Sequence, residues 1–427
     1  MDTPHIQSGH SGTQAQQDTL SRTRVVDVAV EETAAYEEPL VAQNFGGKWL
    51  RALKSVLAVY LAVHIAFFIT TCLAGLFVIS DFSSQSVPIQ RLWESWHHWD
   101  TGHYMWIAVH GYDVAWRTAF FPLYPLLERA ALYVTHNALL AGLLISNVAG
   151  LVMLMVLHQL VREDFDSEIA GRTVLYLTVF PTAFFFAAAY NESLFMCLVL
   201  LSFYHMRHGR WWLAGIFGFF ASLTRSAGIL LLLPFCYEYL RQREFRLRDI
   251  GFEVVSGGLI AAGIGVFALY CYAQFHDYLA FSHAQSHWQH VMHGPWHGIV
   301  GAVKAIVTSN GPLTFQALRN LLDLIPDLLM LVAIVLGLLG PWRFSPSQRS
   351  YVIYAATLYL FLQLFPVAGT GLFPLQSIGR YMLEVFPAFI VLARIGKSQS
   401  VHLHYVMIST ALLFFLLTQF LTGHWVL

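Results

Sequence analysis

Charged side chains are scarce in this sequence. They make up 11% of its 427 residues, whereas a soluble domain usually carries about a quarter. Hydrophobic residues reach 57% and the mean hydropathy is +0.57. A soluble globular class is therefore excluded, and an integral membrane protein is predicted. The net charge is -1 and there is no long basic block, so the sequence gives no indication of a nucleic-acid partner.

Cysteine is also rare and follows no pattern. The four cysteines lie within or at the edge of apolar segments and lack the spacing of metal ligands. We interpret them as small buried side chains, and we expect neither a metal nor an organic cofactor.

The amino-terminal segment lacks the features of a cleaved signal peptide. Residues 1–46 are polar and partly acidic, without a positively charged start and a short apolar centre. We predict a disordered cytoplasmic tail, followed by one polytopic domain over residues 47–427. The first apolar run begins near Val56 and is expected to act as a retained signal anchor.

Long apolar runs dominate the remainder of the chain. A helix needs roughly 20 apolar residues to cross a bilayer. Candidate spans are 55–79, 138–161, 250–275, 318–340, 350–366, 380–395 and 401–421. Two longer blocks, 170–206 and 211–240, contain polar residues at Tyr190–Ser193 and Thr224–Ser226. A charge at mid-bilayer is costly, so each interruption predicts a turn near one membrane face.

The distribution of arginine and lysine orients these spans. Lys48 and Arg51 and the loops 162–172, 207–210, 241–249, 343–349 and 394–400 hold most of the positive charge, which predicts that they are cytoplasmic. The arrangement closes with about eleven spans if residues 119–135 form an interfacial helix and do not cross. The predicted fold class is an all-α polytopic membrane protein. Its large first extracytoplasmic loop (80–135, with interfacial helices) is the predicted catalytic loop, and a second extracytoplasmic loop covers 276–316.

The first loop collects unusual residues. Residues 80–118 hold five tryptophans, four histidines and Asp100. An aromatic belt at the membrane interface accounts for the tryptophans, but it gives no reason for a carboxylate between Trp99 and Gly102. A general base that removes the proton from an attacking sugar hydroxyl does require one. We predict that Asp100 is this base.

Three further charged residues interrupt apolar runs on the same predicted side. Arg225 and Arg380 lie at span ends, and an arginine there suits a lipid-linked phosphate. The alternative for each is a snorkelling arginine or one paired with a glutamate. Glu192 either pairs with one of these arginines or binds sugar hydroxyls.

Histidines are concentrated in the second loop. His283, His287 and His290 have the spacing of one helix face, which allows a metal site. An amphipathic helix at the interface is the more common reason for such a run, and we favour it.

Four sequence blocks, in order, resemble one family. The blocks are Trp99-Asp100-x-x-His103-Tyr104-x-x-Ile107-Ala108-x-x-Gly111-Tyr112 with Ala119-Phe120-Phe121-Pro122-Leu123-Tyr124-Pro125, then Phe180–Phe186 with Tyr190–Phe195, then Leu223–Gly228, then Gly379–Pro387. They resemble the PIG-V family of GPI mannosyltransferase 2 and its prokaryotic relatives. The blocks extend over about residues 90–395, most of the chain.

The resemblance implies a glycosyltransferase of the GT-C type. It implies an active site in the first large extracytoplasmic loop, a polyprenyl-phosphate-linked mannose donor, a glycolipid or glycan acceptor, and inverting transfer with Asp100 as the catalytic carboxylate. His97 and His98 stand where the family pattern has an arginine. Candidate phosphate-binding residues are therefore Arg225, Arg380, His97 and His98, and candidate sugar-binding residues are Tyr104, Tyr190, Asn191 and Glu192.

Two alternative functions remain open from the sequence. A related enzyme of the same architecture could use another sugar, such as arabinose or glucose, because the shape of the pocket selects the sugar. A transporter or lipid flippase is the other alternative. A transporter typically shows internal repeats and charges near the bilayer midplane, whereas the charges here gather at one face.

Overall fold

The computed structural model describes Met1 and residues 45–77, 88–366 and 371–424. These residues form helices and connecting turns, with no β-strand among them. Residues Met1–Arg51 form one unit and Ala52–Leu427 a second. The predicted tail, 1–46, lies outside the described residues except for Met1 and for Phe45 and Gly46, which begin the first helix.

Seventeen α-helices are described, joined by turns and short 3-10 helices. In chain order they are α1 (Phe45–Ala74), α2 (Ile89–Glu94), α3 (Asp100–His110), α4 (Leu123–Thr135), α5 (Ala138–Asp164), α6 (Ser167–Thr178), α7 (Glu192–Arg207), α8 (Trp211–Thr224), α9 (Leu232–Gln242), α10 (Gly258–Phe275), α11 (Ala280–His283), α12 (His297–Val307), α13 (Phe315–Leu338), α14 (Arg349–Leu364), α15 (Ile378–Tyr381), α16 (Phe386–Ile395) and α17 (Gln399–Leu421).

Five helical segments are long and apolar enough to cross a membrane: Gly46–Ala74, Ala138–Asp164, Phe252–Phe275, Phe315–Leu338 and Gln399–Leu421. Each coincides with a span predicted from the sequence, so the all-α membrane fold is confirmed. Helices α8, α12 and α16 are apolar but shorter. The number of eleven spans stays a prediction.

Both interrupted apolar blocks break where their polar residues predict. The first block divides into α6, which ends at Thr178, and α7, which begins at Glu192. The second divides after Thr224 at the end of α8, where Arg225 adopts an extended conformation. The two breaks bring polar residues of both blocks to the same end of the bundle, because Asn191 donates a hydrogen bond to the carbonyl of Thr224 (2.9 Å).

Side-chain caps fix the beginnings of several helices. Asn137 accepts a hydrogen bond from the backbone of Leu140 at the start of α5, and Asp166 accepts one from Ile169 at the start of α6. Such caps satisfy backbone N–H groups that have no partner inside the helix. The turns before and after α5 are very short. Because the connections are short, α5 packs against both α4 and α6.

The segment 119–135 contains α4, a helix of 13 residues, and its position at the membrane interface stays a prediction. Its charged residues are divided between two environments: Arg129 is exposed, whereas Glu128 is fully buried, beside Gly142 of α5. Glu128 therefore lies away from the surface of the protein. It faces the protein interior.

The centre of the bundle depends on close helix contacts. Helix α7 packs against α5 and α8, and α8 packs against α10. A Cβ atom added at Gly263 of α10 would lie 2.4 Å from the carbonyl oxygen of Phe219 and 2.8 Å from Cβ of Ser222, both on α8. Glycine at this position lets the two backbones approach, as small residues do between membrane helices.

We expect Gly263→Ala to lower the thermal stability of the detergent-solubilised protein. Overpacking a tight contact typically costs about 1–3 kcal/mol. Gly265→Ala is the matched control on the same helix, because a Cβ atom there meets nothing within 4 Å. It should leave the melting temperature unchanged or slightly higher, since alanine favours helix more than glycine. Equal melting temperatures for the two variants would refute the proposed close contact between α8 and α10.

Candidate active site

One cavity of about 380 Å³ lies where the two helix breaks meet the loops. Its wall includes Asp100, Arg225 and Arg380, three of the four charged residues expected to share a site. Further predicted residues on the wall are Tyr104, Tyr190 and Asn191. Segments far apart in sequence are thus brought together around one space.

Asp100 is the first residue of α3, at the end of the tryptophan-rich stretch. Trp99, just before it, has a backbone φ of 52°. Residues other than glycine rarely adopt such a positive φ, which costs of order 1–3 kcal/mol. The turn is held by its surroundings: the backbone N–H of Gly102 donates to the carbonyl of Trp99, and Tyr190 donates its hydroxyl to the carbonyl of His98 (3.1 Å). The strained backbone directs the carboxylate of Asp100 to the cavity.

Arg380 holds that carboxylate. Its Nη1 lies 2.6 Å from Oδ2 of Asp100, and both side chains are largely buried, with 13% and 19% exposure. Nε of Arg380 lies 3.1 Å from Oε1 of Glu192, and Nη2 donates to the hydroxyl of Tyr381 (3.2 Å). All three nitrogens of this guanidinium group therefore face polar atoms of the protein.

Arg225 is anchored by one nitrogen only. Its Nη1 lies 3.2 Å from Oε1 of Glu192 and 2.5 Å from Oε1 of Glu384, and it donates to the side-chain oxygen of Asn191 (3.4 Å). No described residue partners Nε or Nη2 of Arg225. Arg225 therefore has N–H groups available on a side chain that lines the cavity.

Glu192 lies between the two arginines and is not part of the cavity wall. It is 1% exposed, and its Oε1 is within ion-pair distance of both guanidinium groups. The ion pair predicted for Glu192 is present. Direct binding of sugar by this side chain stays a prediction, and its burial does not favour it.

His97 and His98 do not line the cavity. His97 is exposed, and the ring of His98 packs edge-on against Phe420 at 5.4 Å. Burial lowers the pKa of His98, so its ring is uncharged at neutral pH. The expectation that these histidines replace a missing arginine near the phosphate is not favoured, because neither residue lines the cavity.

The candidate sugar-binding residues already use part of their bonding capacity. The hydroxyl of Tyr190 is bound to His98, and the amide of Asn191 is bound to Thr224 and Arg225. Tyr104 is buried edge-on against Phe120 and Tyr124. Burial and the nearby Glu192 and Asp100 raise the pKa of Tyr104 well above its ordinary value, so its phenol stays protonated.

Sequence reasoning missed several residues of the wall. Glu384 and Tyr381 lie in the last quoted block but had no assigned role. Glu384 faces Arg225, and a carboxylate three residues before Pro387 in an apolar segment was the available signal. Trp288 and His290 were also missed. They belong to the second loop, and only the three-dimensional structure brings them to the cavity.

The predicted common face of His283, His287 and His290 does not form. Helix α11 ends at His283, a 3-10 helix follows, and Gln289 has a left-handed φ of 59°. The three imidazoles consequently have different partners: Asp277, the ring of Trp116 and the carbonyl of Phe365. Among the described residues, no group of three His, Cys, Asp or Glu side chains could hold a metal ion.

Comparisons with known proteins agree with the sequence blocks. A family model described as mannosyltransferase (PIG-V) matches residues 50–297. Human GPI alpha-1,6-mannosyltransferase 2 is 30% identical over 206 residues, which cover 42% of this chain and 40% of the human protein. GPI mannosyltransferase 2 of Yarrowia lipolytica is 26% identical over 145 residues, covering 34% of this chain and 39% of that protein. The matches thus span about two fifths of the length of these relatives.

Two solved structures superpose on much of the chain at low sequence identity. ArnT from Cupriavidus metallidurans bound to undecaprenyl phosphate superposes with a TM-score of 0.49 and 13% identity, covering 79% of this chain and 59% of that one. The apo Archaeoglobus fulgidus oligosaccharyltransferase gives a TM-score of 0.41 at 10% identity, covering 86% and 56%.

The family match includes the predicted catalytic loop, both helix breaks and the beginning of the second loop. It covers more than half of the 427 residues, and Asp100, Glu192 and Arg225 all lie inside it. This chain belongs to the PIG-V mannosyltransferase family.

Proposed function

We propose that the protein is an integral membrane mannosyltransferase of the GT-C type, with its active site on the extracytoplasmic side. It takes mannose from a polyprenyl (dolichyl)-phosphate donor and transfers it, with inversion, to a glycolipid or glycan acceptor. The membrane is the plasma membrane in a prokaryote and the endoplasmic reticulum in a eukaryote. Family membership and the names of the matched relatives support mannose as the sugar.

The observation that carries the proposal is the carboxylate of Asp100 on the cavity wall. Its Oδ2 is bound to Arg380, whereas no described residue partners Oδ1. One oxygen therefore fixes the orientation of the group and the other is available to a substrate. A general base needs this combination of fixed position and free lone pair.

Arg225 is the better placed of the two arginines to bind the donor phosphate. Arg380 donates hydrogen bonds to Asp100 and Tyr381 and lies within ion-pair distance of Glu192, so a phosphate there would have to displace a carboxylate. Arg225 has free N–H groups, and a guanidinium group can bind phosphate oxygens with two parallel hydrogen bonds. We assign phosphate binding to Arg225 and orientation of Asp100 to Arg380.

The transfer then proceeds in one step. The acceptor hydroxyl oxygen attacks the anomeric carbon from the face opposite the phosphate, and its proton passes to Oδ1 of Asp100. The bond from the anomeric carbon to the phosphate oxygen breaks with its electron pair, which leaves a polyprenyl phosphate monoester. The additional negative charge on this leaving group is stabilised by the guanidinium group of Arg225. Glu192 acts on neither substrate and holds both arginines in position.

Asp100→Asn should reduce transfer from polyprenyl-phosphate mannose by about 10²- to 10⁴-fold, the usual contribution of a general base. The amide keeps the shape of the carboxylate but cannot accept a proton. The measurement is transfer of labelled mannose to a glycolipid extract by purified protein in detergent. The same assay with polyprenyl-phosphate glucose and arabinose tests the choice of sugar.

Asp113→Asn is the control, because Asp113 belongs to the same loop, is 40% exposed and pairs with Arg117. It lies outside the cavity wall and should leave transfer unchanged. Wild-type levels of transfer by folded Asp100→Asn protein would eliminate Asp100 as the base.

The two arginines should differ in their kinetic effects. Arg225→Gln should raise KM for the donor by about 10- to 100-fold, as expected for a lost charged hydrogen bond of about 1.5–3 kcal/mol. Arg380→Gln should mainly lower kcat, by about 100-fold, because a small displacement of a reacting group has effects of this size. The readout is the donor concentration dependence of the initial rate.

Loss of Arg225 also leaves Glu192 and Glu384 with less compensating charge, which endangers folding. The double variant Arg225→Gln/Glu384→Gln removes one carboxylate with the arginine and restores the balance. An unchanged donor KM in the folded double variant would contradict phosphate binding by Arg225.

A further inference from the structure

The second loop contributes an imidazole with a defined proton position to the cavity wall. Nδ1 of His290 lies 2.8 Å from the carbonyl oxygen of Phe365, and His290 lines the cavity. A carbonyl oxygen can only accept a hydrogen bond, so Nδ1 carries the proton. In the neutral ring, Nε2 then has a lone pair and acts as an acceptor. The structure gives Nε2 no partner among the described residues.

The loop around His290 is fastened to the end of α14. The backbone N–H of His293 donates to the carbonyl of Leu364 (2.9 Å), and that of His290 donates to the carbonyl of Gln285 (3.1 Å). The two backbone hydrogen bonds hold this part of the loop, and the hydrogen bond from Nδ1 to Phe365 holds the ring of His290. The orientation of Nε2 is therefore set before any ligand binds.

The ring is uncharged at neutral pH. Burial lowers the pKa of His290 below 6.5, the hydrogen bond to Phe365 opposes this, and the charges of Arg380 and Asp100 act in opposite directions. These two groups, from the α15 and α3 sides of the cavity, are the charges that act on the ring. The other histidines of the loop have partners elsewhere, His283 with Asp277 and His287 with Trp116.

Trp288 stands beside His290 on the same wall. Its indole ring contacts Phe120 edge-on at 5.6 Å and the ring of His103 at 5.3 Å. An aromatic surface next to a neutral acceptor is suited to a sugar, which offers C–H groups to the ring and hydroxyl donors to the acceptor. It is not suited to a phosphate, which at neutral pH offers acceptors and negative charge.

We propose that Nε2 of His290 accepts a hydrogen bond from a hydroxyl group of the donor sugar, with Trp288 packed against the sugar ring. The inference rests on the proposed function and adds a residue that recognises the sugar part of the donor. In this arrangement Arg225 binds the phosphate group of the donor, and His290 binds a hydroxyl group of its sugar.

The test compares binding of polyprenyl-phosphate mannose with binding of polyprenyl methyl phosphate, a phosphodiester of the same charge that lacks the sugar. Because Trp288 and Trp99 lie on the cavity wall, tryptophan fluorescence of the purified protein in detergent reports binding directly. The wild-type protein should bind the mannosyl compound more tightly. In His290→Phe this preference should fall about 10-fold, as when a buried polar group loses its partner, while binding of polyprenyl methyl phosphate stays unchanged.

His283→Phe is the matched control in the same loop. Its side chain is 67% exposed, pairs with Asp277 and lies outside the cavity wall, so the preference should equal that of the wild type. The pH dependence provides a second readout. In the wild type the preference should persist at pH 6.5 and be lost at lower pH, where protonated Nε2 can no longer accept. His290→Phe should lack this dependence.

Two results would overturn the inference. One is a preference for the mannosyl compound in His290→Phe equal to that in the wild type, and the other is no preference in the wild type. Failure of the proposed function gives a different result: Asp100→Asn retains transfer, or the wild type transfers no mannose, while the binding preference still depends on His290.

Discussion

The buried ion-pair network between Arg380, Arg225 and three carboxylates is the interaction on which the remaining structure depends. Arg380 joins Asp100 to Glu192, and Arg225 joins Glu192 to Glu384. Removing charges from water is costly unless each is paired, so the four segments that carry them must meet at one place. The network thereby fixes the beginning of α3, both helix breaks and the turn before α16 relative to one another, and the cavity is the space that remains between them.

The same requirement explains the form of α7. Its first residue, Glu192, belongs to the network, and its last residue, Arg207, pairs with Asp164 and Glu238. The helix has 16 residues and a length of about 24 Å at 1.5 Å per residue, and nearly all of it is buried. Its polar ends thus lie at two separate ends of an apolar bundle. A charge in the middle of α7 would have no partner. The polar residues that interrupt the apolar blocks of the sequence therefore mark the ends of the bundle.

This physical cost is also the reason why much of the fold and part of the site could be predicted. Apolar length locates the five long spans, and the positions of Glu192, Arg225 and Arg380 inside apolar blocks show where the chain turns. Asp100 was recognisable because an aromatic belt does not need a carboxylate. Spacing could not predict His290, because its place in the cavity comes from a hydrogen bond to Phe365, 75 residues later in the chain. Sequence adjacency to Asp100 could not place His97 and His98 either, because the ring of His98 packs against Phe420, more than 300 residues later in the chain.

The distribution of donors and acceptors in the cavity determines how a donor molecule can bind. Arg225 offers N–H groups and positive charge, whereas His290 offers a neutral lone pair beside an indole ring. A sugar phosphate bound in the reverse direction would place its phosphate anion against the lone pair of His290, where it has no positive charge to pair with. Its hydroxyl groups would then face the guanidinium group of Arg225, which cannot accept a hydrogen bond. In the proposed direction, the anomeric carbon, the atom between phosphate and sugar, would lie between Arg225 and His290, which both line the cavity. Asp100 lies on the same wall, and no described residue partners its Oδ1. In the proposed direction of binding, the bond that breaks would face the proposed base.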